Sequence, residues 1–347
     1  MNAISQFLYG ILNGINGIVN NYGIAIIIFT VLMRMVCMPF DYKSRKGMRK
    51  MSLIQPKLNE LQKKYGNDKQ KMQQKQAELM KKEGYNPLSG CLPMLLTWPL
   101  MIAMFSAMRN IANEQLVMQT FRYLAGEAVV VQPQDAFLWV QNIWMTDSPF
   151  VPVAPDANAL NVLTRDVWQN AYTLLQGNES LFASVQAVLE GAGVTLDFTT
   201  DVAMKQSVTE ILKLLGQNAQ YQAAVQSVPG WSGLNFFLFK ITVFKDYNGL
   251  LILPVLAGVT QVLQTKFMNA QQPQQTTPDG KGTGNFMKWF FPCLSVFFCL
   301  SSNAGFALYW VVSSIVSSIQ SIVINKILEK KDAEQSNKKL AGEGTVK

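Results

Sequence analysis

One arginine interrupts an otherwise apolar stretch of the chain. Arg34 lies within Gly23–Phe40, GIAIIIFTVLMRMVCMPF, which holds no other charged residue. About 20 apolar residues are needed for a helix to cross a bilayer core, and a charge inside that core costs at least about 2.5 kcal/mol. Because arginine keeps its charge, a hydrated cavity that receives an anionic group would accommodate it. The alternative is a structural arginine satisfied by carbonyls and polar side chains.

Other residue types that carry chemistry are sparse. The sequence has no histidine, which excludes histidine triads, H-E-x-x-H zinc sites and histidine proton relays. The segment Gly280–Thr283 resembles the end of a phosphate-binding loop, but Gln275 replaces the loop's first glycine. The cysteines form no C-x-x-C pair and are predicted to be buried apolar side chains: Cys37, Cys91, Cys293 and Cys299. We therefore expect no enzyme activity, no metal and no cofactor.

Long uncharged windows predict an all-α polytopic membrane protein. Hydrophobic residues make up 49% of the chain and charged residues only 15%. We predict five transmembrane helices, with the N-terminus outside and the C-terminus inside, at 22–40, 87–109, 247–266, 286–302 and 304–326. The other segments are an interfacial amphipathic helix at 1–21, a cytoplasmic basic helical hairpin at 41–86, an unusually long extracytoplasmic helical insertion at 110–246, a cytoplasmic linker at 267–285 and a cytoplasmic tail at 327–347.

Charge sets the predicted orientation. Asp41–Asn86 carries 13 Lys/Arg against 5 Asp/Glu, whereas Ile111–Asp246 carries 6 against 12. Basic segments remain on the cytoplasmic side. Pro39 is predicted to end the first membrane helix, and Arg109 the second.

The basic hairpin is poor in apolar residues but rich in methionine. A break at Gly66–Asp68 predicts two arms of similar length. One interpretation is a solvated hairpin whose basic face rests on anionic lipid. The other is a flexible surface that captures apolar segments of another protein, with these candidate residues: Met48, Met51, Met72 and Met80.

Two further patterns leave alternatives open. Apolar stripes in 161–226 predict short helices, capped by Asn178 and Thr200, that form an external subdomain or lie flat on the outer leaflet. Serines spaced by four residues predict a close helix-packing face on the last span, with a polar lining as the alternative: Ser313, Ser317 and Ser321.

Three blocks of the sequence carry a resemblance to a known family. The first is YGIAIIIFTVLMRMVCMPF with the MRKMSLIQPKLNELQKKYGNDKQKMQQKQAELMKKEG that follows it. The second is NPLSGCLPMLLTWPLMIAMF, and the third comprises LPVLAGVTQVLQTK, MKWFFPCLSVFF and AGFALYWVVSSIVSSIQ. With these blocks in this order, the sequence resembles the YidC/Oxa/Alb membrane protein insertase family, in a layout closer to its Gram-positive type. The 110–246 connection departs from the family, in which this segment is usually short.

The resemblance implies a multi-pass protein of the bacterial plasma membrane that guides nascent transmembrane segments into lipid. Arg34 would lie in a hydrophilic groove with Thr30 and Gln261, for which Gln264 is a near competitor, and Trp310 would contact substrate. The implied partners are nascent membrane proteins and the lipid bilayer. The Sec translocon and the ribosome are further candidate partners, and no specific nucleic acid is expected. Two alternatives are a dedicated membrane-complex assembly chaperone and an anion channel or transporter.

Overall fold

The computed structural model describes residues 3–65, 68–84, 88–236, 239–269 and 284–343. These residues are mostly helical, with one two-stranded antiparallel hairpin, β1 (Leu234–Phe236) and β2 (Phe239–Ile241). The helices are α1 (Ala3–Val19), α2 (Tyr22–Tyr65), α3 (Lys69–Lys82), α4 (Leu88–Leu124), α5 (Ala157–Asn161), α6 (Arg165–Gln176), α7 (Glu179–Gly191), α8 (Asp201–Leu215), α9 (Ala219–Ala224), α10 (Ile252–Asn269), α11 (Gly284–Leu300) and α12 (Ala304–Glu343).

The chain forms two compact units. The first comprises Met1–Phe29, Ala103–Leu256 and Val296–Trp310. The second comprises Thr30–Ile102, Ala257–Ser295 and Val311–Lys347. Within the described residues, two helices are long and apolar enough to cross a membrane, Tyr22–Tyr65 and Ala304–Glu334.

Three helices extend well beyond their predicted ends. The prediction that Pro39 ends a helix is wrong, because α2 continues through Pro39 and Pro56 to Tyr65. A proline removes one backbone donor, and the lysines, arginines and leucines that follow are good helix formers that sustain the helix. Similarly, α4 passes Arg109, and α12 continues through the predicted tail.

The cysteine prediction needs one correction. Cys299 is buried and Cys37 half-buried, but Cys293 is exposed. The prediction failed because α11 has both buried and exposed apolar positions, so the apolar surroundings of Cys293 in the sequence do not determine which face of the helix it occupies. The side chain of Cys91 lies outside the described residues.

The predicted helices of 161–226 form a subdomain in the first unit. Their caps are confirmed: Asn178 accepts from Leu181 N at 3.2 Å, and Thr200 accepts from Ala203 N at 3.2 Å. The apolar stripes of α6, α7 and α8 face one shared core rather than a flat surface. Trp168 is fully buried and stacks on Phe198 at 5.7 Å. The α4 extension adds Phe121 to this core, which explains why α4 continues beyond Arg109.

A buried cluster of hydrogen-bonded polar residues in the same unit holds the first turns of two long helices. Asn142 and Asn248 are fully buried and bond each other through side chain and backbone at 2.7 and 2.8 Å. Asp147, also fully buried, accepts from Leu250 N and Leu253 N, both at 2.7 Å, at the start of α10. The start of α12 is held by backbone bonds from Ala304 N to Met145 O at 2.8 Å and from Gly305 N to Ile143 O at 2.9 Å.

Candidate polar site on the membrane helices

Arg34 is hydrogen-bonded to α12 within the second unit. Its Nε donates to Ser313 Oγ at 2.9 Å, and its Nη2 donates to the same oxygen. Its backbone carbonyl accepts from Gln320 Nε2 at 2.9 Å. The side chain is half-buried. Arginine has five N–H donors, so one serine hydroxyl leaves part of the guanidinium available to another acceptor.

Three serines on α12 form a row that accepts hydrogen bonds from two other helices. The row consists of Ser313, Ser317 and Ser321, all buried and spaced one turn apart. Besides Arg34, it receives Gln264 Nε2 of α10 at Ser317, at 3.2 Å, and Arg45 Nη2 of α2 at Ser321. Its hydroxyls therefore make polar contacts between α12 and the helices α2 and α10.

Arg45 is a second arginine that bonds the serine row, and the sequence did not single it out. Its exposed fraction is only 6%, whereas its neighbour Lys46 is exposed. In the sequence it lies within a run of basic residues and looks like one more surface charge. Its position eleven residues after Arg34 is the signal that could have identified it, because eleven residues complete about three helical turns.

The nearest acidic side chain on α2 is Asp41, which is half-buried and one residue beyond the predicted span. Burial raises the pKa of Asp41, and the positive charges of Arg34 and Arg45 oppose that shift. Within the described residues, neither arginine has a carboxylate at ion-pair distance. Arg49 does, since its Nε lies 2.8 Å from Asp332 Oδ2. Half-buried Arg34 and buried Arg45 therefore both donate to serine hydroxyl groups.

The other predicted groove residues have different surroundings. Thr30 is fully buried in α2. Gln261 is half-buried, and its carbonyl accepts from Thr265 Oγ1 at 2.8 Å, while Gln264 makes the bond to the serine row. Trp310 belongs to the first unit, where its ring centroid lies 5.7 Å from that of Phe306. Its indole nitrogen is buried with no hydrogen-bond partner among the described residues.

The hairpin in the second unit is formed by the end of α2 and by α3. Its arms are joined by Lys57 Nζ, 2.5 Å from Glu83 Oε1, and Lys50 Nζ, 2.9 Å from Gly84 O. Ile54 and Leu58 are buried, whereas Leu53 is 70% exposed. The four candidate methionines are each half-buried: Met48, Met51, Met72 and Met80.

The long apolar helices α2 and α12 are typical of a helical membrane protein, and Arg34 and Arg45 of α2 both bond serines of α12. The family model described as "60Kd inner membrane protein" matches residues 14–194 and 211–332. That match covers most of the sequence, and the chain belongs to this family.

Curated relatives carry the description "Membrane protein insertase YidC". The protein from Chlorobaculum tepidum is 26% identical over 316 residues, covering 91% of this chain and 34% of the relative. That from Fusobacterium nucleatum is 40% identical over 109 residues, covering 31% and 53%, respectively. That from Pelodictyon phaeoclathratiforme is 38% identical over 135 residues, covering 39% and 20%. The chain thus spans between one fifth and about half of each of these relatives.

Proposed function

We propose that this chain is a membrane protein insertase of the bacterial plasma membrane that works without a chemical step. The observation that carries the proposal is Arg34, a half-buried cation on an apolar helix with only a serine hydroxyl as its described side-chain partner. A carboxylate on the tail of an incoming protein would complete the hydrogen bonding of this guanidinium. The names of the relatives support this reading.

The proposed topology has five spans, contributed by α2, α4, α10, α11 and α12, with the N-terminus outside. The basic residues after the apolar part of α2 favour a cytoplasmic position for its second half. Ser313 with Arg34, and Ser317 with Gln264, then lie at membrane depth on three of the five spans, and Arg45 lies on the cytoplasmic side of them. In this topology, α10 and α12 both start on the outer side.

In the proposed mechanism, a nascent span first contacts the cytoplasmic hairpin. Its polar tail then moves to Arg34, which lowers the cost of bringing a carboxylate into the membrane. The apolar part passes into lipid, driven by about 25 cal/mol for each Å² of apolar surface removed from water. The membrane potential adds to the transfer of an acidic tail towards the outside.

The test is insertion of a single-span protein with an acidic N-terminal tail into proteoliposomes that contain the purified chain. Protection of the tail from external protease measures insertion. We expect protected tails only in liposomes that contain the chain, with no anion flux above that of empty liposomes. Anion flux without insertion would favour a channel or transporter instead.

The subdomain built from α6, α7 and α8 supports a second candidate, a dedicated assembly chaperone. It has its own core, and three of its apolar side chains are exposed: Leu174, Val188 and Val202, by 49%, 37% and 70%. Deleting the subdomain would uncover α4, so we would replace these three residues with glutamine instead. A general insertase should keep its activity on the test protein, whereas a chaperone that docks its partner here should lose that partner.

A further inference from the structure

We propose that Arg45 is a second carboxylate-binding position for the translocating tail, on the cytoplasmic side of Arg34. This inference rests on the proposed insertase function and extends it. It concerns only the second unit, which contains Arg34, Arg45 and the serine row.

Arg34, Asp41 and Arg45 lie on one face of the same helix. Asp41 and Arg45 follow Arg34 by seven and eleven residues on the continuous helix α2. Both spacings deviate from whole helical turns by only about 20°, so the three charges share one face of the helix. That face meets α12, because Arg34 bonds Ser313 and Arg45 bonds Ser321. The two cations are therefore successive positions along the same pair of helices.

Arg45 is unusually buried for a residue of a basic segment. An arginine in a cytoplasmic basic segment normally keeps its head group in water, yet Arg45 is only 6% exposed. A serine hydroxyl cannot neutralise it, and no carboxylate in the described residues forms an ion pair with it. The nearby Asp41 interacts with both arginines through their charges. A tail carboxylate arriving from the cytoplasm would meet Arg45 first and Arg34 three turns later.

The spacing gives the proposal a specific length scale. Eleven residues of helix rise about 16 Å, and an extended peptide covers that distance with about five residues. A tail with two carboxylates about five residues apart could therefore contact both arginines at once. Tails with one carboxylate would occupy the two positions in turn.

The test combines three tails with matched protein variants in the proteoliposome assay. The tails carry two aspartates five residues apart, one aspartate, or asparagines at both positions. Arg45→Gln removes the charge but keeps an amide that can donate to Ser321, and Lys46→Gln removes the same charge from the exposed neighbour. Arg45→Lys tests whether another cation can replace Arg45. Arg34→Ala is the reference for loss of the binding position at Arg34.

We expect Arg45→Gln to lower insertion of the two-aspartate tail about fivefold or more. The asparagine tail should insert equally well with every variant, and Lys46→Gln and Arg45→Lys should match the wild type. If Arg45→Gln impairs all three tails equally, Arg45 is a packing residue and the inference is wrong. If Arg34→Ala is impaired while Arg45→Gln behaves as Lys46→Gln, the inference fails and the proposed function stands. If the wild type inserts no tail, both fail.

Discussion

Asp147 caps a helix that is distant in sequence, and its removal should be costly. Helix α10 starts at Ile252, after Leu250 and Leu251, neither of which has a side chain that can accept a hydrogen bond. Asp147 supplies the missing acceptor, to Leu250 N and Leu253 N at 2.7 Å each, and it also accepts from Trp139 Nε1 at 3.2 Å. Asp147→Ala would leave these donors without their acceptor.

The expected loss follows from the two short backbone bonds. A hydrogen bond to a charged acceptor contributes about 1.5 kcal/mol or more, so losing both costs about 3 kcal/mol. Asp147 belongs to the first unit, which has about 200 residues, and for a cooperative unit of 150 to 250 residues each kcal/mol corresponds to about 2–4 °C. We therefore predict a Tm about 6–12 °C below that of the wild type for Asp147→Ala.

The measurement is thermal aggregation in detergent, followed by fluorescence-detected size-exclusion chromatography. Asp156→Ala is the matched control, because Asp156 caps the short helix α5 through a single bond to Ala159 N at 2.7 Å. It should lose only about 2–4 °C. A melting temperature for Asp147→Ala within about 1 °C of the wild type would refute the reasoning, because that shift is worth less than one cap.

Three further changes are expected to alter stability in the same assay. Gly249→Ala should be as harmful as Asp147→Ala, because a Cβ there would lie 2.0 Å from Asp147 Oδ1; a wild-type melting temperature would contradict this. Asp135→Asn should stabilise the protein near pH 7, because burial raises the pKa of Asp135, and its stability falls as pH rises and the carboxyl ionises. The variant keeps the oxygen that accepts from Trp144 Nε1 at 2.8 Å. If the difference in stability between Asp135→Asn and the wild type were the same at pH 4 and at pH 7, this prediction would be wrong. Trp168→Ala should lower the free energy of unfolding by about 3–5 kcal/mol, because the ring is fully buried in the subdomain core. A melting temperature equal to that of the wild type would show that the ring does not stabilise this core.

Local patterns predicted the features that depend on neighbouring residues. The subdomain helices and the caps at Asn178 and Thr200 follow from side-chain spacing along a single helix. Arg34 was identifiable because one charge stands alone in an apolar run. The turn between α11 and α12 was likewise predictable from an uncharged stretch too long for one membrane span.

Long-range features were not predictable in this way. Asp147 lies 106 residues from Leu253, so nothing in the local sequence pairs them, although the lack of a cap at the start of α10 was a signal. Arg45 was hidden by its basic neighbours, because burial is decided by α12 rather than by residue type. The passage of α2 through Pro39 shows that a proline costs one hydrogen bond, which the residues on either side can outweigh.

The role of Arg34 is tested most directly by insertion of the acidic-tailed single-span protein by the wild type, Arg34→Lys and Arg34→Ala. We predict that the wild type and Arg34→Lys insert the acidic tail and that Arg34→Ala does not, while all three insert a tail in which asparagine replaces the aspartates. Equal insertion of the acidic tail by all three proteins would contradict it, because Arg34 would then be a structural residue held by Ser313.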